Sequence, residues 1–199
     1  MTDLIRTNIS GRTGVITLNR PTALNSLSLE MVRAMTQALL DWRNDAEISA
    51  VFVHGSGEKA YCAGGDIRFF HTAALAGDSA LEDFFTEEYR LNHLIHHYPK
   101  PCMVFMDGVV MGGGMGLAQG AKLRIATERT KMAMPETMIG LFPDVGGGYF
   151  LGRCTGPACP EYMGEFLALT GHVLRGGESL PHPGATRGDR PVHSEHPAY

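Results

Sequence analysis

Apolar and polar positions alternate along the chain with two different periods. Leu4 to Ile9 and Thr13 to Asn19 are β-rich runs on either side of Ser10-Gly11-Arg12, which predicts a hairpin. Ser28 stands as an N-cap ahead of Leu29, Val32, Met35, Leu39 and Trp42, spaced by three and four residues, so an amphipathic helix is expected to run to about Asn44. Ala50 to His54 reads AVFVH, a short strand buried on both faces, and Cys102 to Met106 and Leu123 to Ala126 repeat that character with helical stretches between. On a helix beginning near Ala80, Phe84, Glu88, Leu91 and Ile95 form one stripe, which puts an acid on the side that should be buried. Such alternation predicts an α/β layer fold in which crossover helices cover neighbouring strands. The pattern ends at Gly171. From His172 to Tyr199 only Val173, Leu174, Leu180, Ala185, Val192, Ala198 and Tyr199 are apolar, too few to offset an ordering entropy of roughly 1–2 kcal/mol per residue, and that stretch is expected to be loose.

At 199 residues and 44% apolar content the chain has material for one core. Its 17 basic and 21 acidic residues leave a net charge of −4, which gives no electrostatic footprint for nucleic acid or an anionic membrane. No stretch reaches the roughly 18 uncharged apolar residues of a membrane span, and the opening Met1-Thr-Asp-Leu-Ile-Arg resembles neither a signal core nor an Arg/Ser-rich transit helix, so a cytoplasmic location is expected. Cys62, Cys102, Cys154 and Cys159 read as reduced and structural.

Candidate chemistry falls in four places. Two glycine clusters, Cys62-Ala-Gly64-Gly65-Asp66 and Met111-Gly112-Gly113-Gly114-Met-Gly116, each lie between a strand and a helical stretch. Leu117 occupies the place of the last glycine in a dinucleotide-binding loop, and no G-K-[ST] occurs, so neither cluster is a nucleotide loop. They serve either as tight turns for close packing or as bends whose amides converge into an oxyanion hole. The third place, Met132 to Gly148, sets Glu136 and Asp144 in Pro- and Gly-punctuated apolar sequence, where an acid is exposed at a turn, paired, or partly desolvated for acid–base work. Glu88 is the fourth, either snorkelling at a helix edge or held inside. His93, His96 and His97 lack a third ligand at a metal-binding spacing, Ser56 misses the G-x-S-x-G pattern because position 54 is His, and Cys62 reads as a small buried side chain before it reads as a nucleophile.

Taken together, Asn19-Arg-Pro with Leu24-Asn25-Ser26-Leu27, YCAGGDIR (61–68), EEYRLN (87–92), YPKP with MDGVVMGGGMGL (98–117) and RIATERTKMAMPETMIGLFPDVGGGYFL (124–151) resemble the crotonase (enoyl-CoA hydratase/isomerase) superfamily, and within it a thioester-hydrolysing branch. The resemblance runs from about residue 4 to Gly171. It implies a crotonase-like (ClpP/crotonase) spiral of ββα units and an acyl-CoA partner, with coenzyme A as part of the substrate and no further cofactor or metal. It also implies that the Gly65 and Gly113 amides hold the thioester carbonyl and that Glu88, Glu136 and Asp144 face the acyl group. Hydratases of the superfamily carry a glutamate where this chain has Gly116, so Glu136 lacks its usual partner and Asp144 supplies a second carboxylate from another direction. The resemblance therefore favours thioester hydrolysis, with Glu136 activating water or attacking directly, Asp144 orienting or deprotonating water, and Glu88 hydrogen-bonded to a substrate hydroxyl. A hydratase or isomerase of the same superfamily and a chain that binds acyl-CoA or a related subunit without turnover are the competing readings. The superfamily's C-terminal helices, which cover the acyl pocket and build subunit contacts, are replaced here by HVLRGGESLPHPGATRGDRPVHSEHPAY, so a core over 1–171, a divergent tail over 172–199 and a possible homo-oligomer are the expectation.

Overall fold

The computed structural model describes residues 3–154, 161–179 and 185–187. The chain opens with the hairpin of β1 (Ile5–Ser10) and β2 (Thr13–Leu18), paired antiparallel from Ile5 opposite Leu18 to Ser10 opposite Thr13 around Gly11 at φ +59°. Helix α1 (Leu29–Arg43) follows, and the Ser28 hydroxyl accepts from the Met31 N–H at 3.3 Å to close its first turn. Its buried face carries Met31, Val32, Met35, Leu39 and Trp42, as the spacing predicts. The Trp42 ring lies so close to β2 that a Cβ on Gly14 would overlap it.

The rest is a spiral. Each turn gives one strand to each of two sheets before a helix carries the chain back: β3 (Ala50–Gly55) and β4 (Ala60–Cys62), then α2 (Ile67–Ala76) and α3 (Ala80–His96); β5 (Cys102–Met106) and β6 (Val109–Met111), then α4 (Gly113–Gln119); β7 (Leu123–Ala126) and β8 (Lys131–Ala133). The larger sheet runs β1-β2-β3-β5-β7-β10 and is parallel from β2 onward; the smaller runs β4-β6-β8-β9. Ile16, Leu18, Val51, Val53, Val104 and Met106 fill the interior from the larger sheet, consistent with parallel strands covered by crossover segments. A short 3-10 turn at Glu136–Ile139, α5 (Gly147–Leu151) and α6 (Met163–Thr170) complete the site side of the molecule.

The strands of the larger sheet lie where the apolar runs predict them. Those of the smaller sheet, three residues each at β4, β6 and β8, were not separable from turns in the sequence, being too short to show a period. Past Gly171 the segment expected to be loose contributes β9 (Leu174–Arg175), antiparallel to β8, the short α7 (Gly176–Ser179), and β10 (Ala185–Arg187), parallel to β7. The unpaired edges of β8 and β7 offer ladder groups that even a polar segment can meet with its backbone. Expectations for 180–184 and 188–199 lie outside the described residues.

One buried polar residue ties the N-terminal loop to the spiral. Asn25, fully buried at φ +54°, accepts from the Arg20 N–H at 2.9 Å and donates to the carbonyls of Ser56 at 3.0 Å and Ala60 at 2.9 Å. Asn25→Ala strands those partners without a bond, and urea unfolding is expected to show a loss of about 2–4 kcal/mol with little change in slope.

Candidate active site

The two glycine clusters are the bends that follow β4 and β6, and they meet. A Cβ on Gly64 would lie 3.3 Å from the Gly113 nitrogen and 2.9 Å from the Met111 carbonyl oxygen; one on Gly113 would lie 3.3 Å from the Gly65 nitrogen and overlap Glu88 Oε1; one on Gly114 would overlap the Cys62 carbonyl. Gly64 at φ +99° and Gly112 at φ +50° adopt backbone that L side chains rarely take. The first bend is pinned from outside: the Leu27 N–H donates to Gly64 O at 2.8 Å and the Asp66 N–H to Leu27 O at 3.0 Å. Asp66 caps α2 by accepting from the Arg68 and Phe69 amides and pairs with Arg20 at 2.7 Å. Among the described residues the amides of Gly65 and Gly113, like that of Gly64, have no backbone acceptor. The close-packing reading of the glycines holds, since they set backbone on backbone, and the Gly65 and Gly113 amides lie near each other.

Three carboxyl groups gather at this junction. Glu88 sits in the middle of α3 on the stripe with Phe84, Leu91 and Ile95 and is only 2% exposed, so it does not snorkel; its Oε1 has no hydrogen-bond partner among the described residues. Glu136 opens the 3-10 turn after Pro135, is 6% exposed, and likewise has neither oxygen bonded; its Oε1 lies 3.1 Å from where a Cβ on Gly112 would be. Asp144 reaches in from the loop before α5, where Val145 at φ +43° and Gly146 at φ +87° turn the chain sharply, and its Oδ2 accepts from the Tyr89 hydroxyl at 2.7 Å. Burial pushes Glu88 up to about 8, and the charges of Asp144 and Glu136 add to it. Burial also lifts Glu136 to about 7, with Asp144 again contributing. The Tyr89 hydroxyl is held in its protonated form by burial first, then by its bond to Asp144. The exposed-turn alternative for Glu136 is ruled out by these positions.

The weaker candidates lack the environment of these acids. Cys62 lies buried at the foot of the first bend, its thiol pushed up to about 12 by burial, which disfavours the thiolate a nucleophile needs. Cys102 and Cys154 are likewise free and buried; Cys159 lies outside the described residues. Ser56 lines a separate cavity of about 430 Å³ beside Pro21 and Asn25. His93, His96 and His97 are exposed and stacked on one another, with 4.1 Å between the His93 and His97 ring centroids, and among the described residues no group of three or more His, Cys, Asp or Glu could hold a metal ion. A cavity of about 880 Å³ has Asp144, Tyr89, Asn92, Gly116, Gln119 and Tyr149 on its wall, and the three histidines also line it. Sequence reasoning passed over Tyr89, Asn92 and Gln119. Asn92 had a signal, being four residues past Glu88 on the same helix face; Tyr89 had none, since its role depends on a loop 55 residues away.

Buried acids with a raised affinity for protons, beside a pair of open amides, suit a carbonyl whose oxygen gains charge as it reacts. The family model described as enoyl-CoA hydratase/isomerase matches residues 13–188. A mitochondrial 3-hydroxyisobutyryl-CoA hydrolase of Danio rerio is 53% identical over 83% of this chain and 42% of its own length. Its Homo sapiens counterpart is 49% identical over 83% and 42%. The chain thus spans less than half the length of these curated relatives. The crystal structure of an enoyl-CoA hydratase from Rhodobacter sphaeroides superposes with a TM-score of 0.85 at 41% identity, covering 94% of this chain and 54% of that one. A carnitinyl-CoA dehydratase from Mycobacterium thermoresistibile gives 0.82 at 43%, covering 90% and 52%. With two abutting glycine bends, buried acids around them, a ββα spiral and these relatives all in agreement, the chain belongs to the enoyl-CoA hydratase/isomerase family.

Proposed function

We propose that this chain carries the chemistry of an acyl-CoA thioester hydrolase, with 3-hydroxyisobutyryl-CoA, an intermediate of valine degradation, as the substrate its relatives suggest. The observation that carries the reading is the placement of acids: Glu136 and Glu88 are buried and unpaired against the two bends, Asp144 enters from a separate loop, and α4 offers only Gly116 where a second hydratase acid would stand. Adding water across a double bond requires two groups to handle that water and the α-carbon. Splitting a thioester requires a stabilised oxyanion and one activated water.

In the proposed sequence the thioester oxygen accepts from the Gly65 and Gly113 N–H groups, each such donor being typically worth about 10²–10³ in rate. Glu136 as carboxylate takes a proton from water while the water oxygen bonds the acyl carbon, or attacks that carbon itself and is released by water in a second step. Either route consumes one water. The carbon–sulfur bond breaks with its electron pair on sulfur, and the thiolate takes up the proton. Glu88, protonated at neutral pH, donates to the substrate hydroxyl, and Asp144, oriented by Tyr89, holds water. Hydration of an enoyl-CoA is the second reading, favoured by the likeness to hydratase structures.

The purified chain is expected to release thiol from 3-hydroxyisobutyryl-CoA without consuming the enoyl absorbance of crotonyl-CoA; hydration with no thiol release would reverse the assignment. Glu136→Gln should lower kcat by about 10²–10⁴, the usual worth of a positioned acid or base. For the parent chain kcat/KM should rise through pH about 7 as Glu136 ionises and fall above about 8 as Glu88 loses its proton, whereas a flat profile would exclude both roles. Because Glu88 binds its proton more tightly folded than unfolded, its stabilising share is complete at low pH and is lost as pH rises toward 8. Glu88→Gln should therefore melt above the parent at pH 8, with an advantage of about 2–4 kcal/mol that shrinks to under about 1 kcal/mol near pH 5.

A further inference from the structure

The cavity of about 880 Å³ is framed by the second half of α3, the end of α4, the loop before α5, and α5 with Arg153 beyond it. Its wall is mostly apolar, with Phe142, Pro143, Val145 and Phe150 on it. Charge is its second feature. Arg124, Arg153 and the three histidines line it against one acid, Asp144, whose Oδ2 already accepts from the Tyr89 hydroxyl at 2.7 Å. Even with the histidines neutral, two guanidinium groups outweigh one carboxylate there, in a chain whose net charge is −4. A concave wall of sign opposite to the whole chain draws anions to itself.

The basic groups form one ridge. The Arg153 Cζ lies 3.5 Å from the centroid of the Tyr149 ring, and His96 meets that ring edge-on at 5.5 Å. His97 follows at 4.8 Å from His96, and His93 at 4.1 Å from His97. Arg153 is steadied by donating one N–H to the Tyr149 carbonyl at 3.1 Å, and it joins none of the ion pairs among the described residues. Arg124 faces the end of α4, donating to the Gln119 and Ala121 carbonyls at 2.9 Å, and adds its charge from there.

The ligand class follows from these two features. An apolar wall takes an apolar body, and a guanidinium flanked by imidazoles takes a head group rich in acceptors and negatively charged. A carboxylate matches the planar fork of arginine with its two oxygens. A cationic head meets the two arginines, and a neutral one leaves Arg153 without a counter-charge. Glu88, Glu136, Gly65 and Gly113 do not line the cavity, so it is distinct from the junction of the glycine bends and shares only Asp144 with the acids gathered there. We propose that the cavity binds a small carboxylic acid in its ionised form, with the carboxylate on Arg153 and the histidine ridge and an apolar body against Phe142, Val145 and Phe150. This site goes beyond the hydrolase reading and does not depend on it.

Calorimetric titration of the full chain with 4-phenylbutyrate, 4-phenylbutanol and 4-phenylbutylammonium tests the assignment, since one body is offered under three head groups. The carboxylate should form a one-to-one complex about fivefold or more tighter than the alcohol, with the ammonium weakest. Arg153→Met keeps an unbranched stem over Tyr149 while removing the charge; it should bring the carboxylate down to the affinity of the alcohol and leave the alcohol within about twofold of its parent value. Gly148→Leu adds a side chain on the cavity wall where a Cβ would meet nothing within 4 Å, and it should weaken all three ligands. A carboxylate bound no tighter than the alcohol, or a preference that survives Arg153→Met, overturns the proposal. If Arg153→Met does not fold, the parent chain decides: the preference should shrink between about 0.05 and 0.5 M salt, and a preference indifferent to salt refutes it. Displacement of 4-phenylbutyrate by 3-hydroxyisobutyryl-CoA from the Glu136→Gln chain also refutes it, because the cavity would then belong to the thioester site. A parent chain that releases no thiol counts against the hydrolase reading alone and leaves the binding result in force.

Discussion

The structure depends on backbone approaching backbone at the junction of two bends. A side chain at Gly114 would overlap the Cys62 carbonyl and one at Gly64 would crowd the Met111 oxygen, so the smaller sheet can carry its second bend over its first only with glycine at these two places. That contact sets two amides beside each other without partners and brings α3 and the turn at Glu136 close enough to deliver their carboxyl groups to the same point. Packing and chemistry share one cause.

The cost falls on the acids. Two buried carboxyls with unbonded oxygens, near a third, are an unfavourable arrangement in a resting protein, and their burial raises the affinity of both for a proton. The surrounding fold offsets it. Asn25 and the Leu27 bridge clamp the first bend from the N-terminal loop, Arg20 pairs with the Asp66 cap of α2, and the aromatic group of Phe69, Phe70, Phe84 and Phe85 packs α2 against the face of α3 that bears Glu88. Strain and desolvation of this sort persist at a site only where neighbouring structure over-determines it.

Asp144 differs from the other two. Its position comes from a sharp loop with a non-glycine residue at positive φ, and its partner Tyr89 comes from another element, so it sits at the boundary between the buried junction and the wider cavity. Two surroundings thus meet at one carboxylate: its charge lifts the neighbouring acids, and it also lines the wider cavity.

Much of the frame was legible in the chain itself. The hairpin around Gly11, the helix capped by Ser28, the strands at Ala50, Cys102 and Leu123 and the buried stripe through Glu88 follow from short-range periodicity, because burial on one face imposes a repeat that any single element must display. The motif resemblance added the family and nominated Gly65, Gly113, Glu88, Glu136 and Asp144 together. Only the tertiary structure decided that the glycine bends touch, that Glu136 is buried instead of exposed at a turn, that Tyr89 holds Asp144, and that Asn92 and Gln119 face one cavity. These are relations between segments distant in sequence, and no local period records them; nor could residues 174–175 and 185–187 announce strands, since what orders them is the open edge of a sheet built by other parts of the chain.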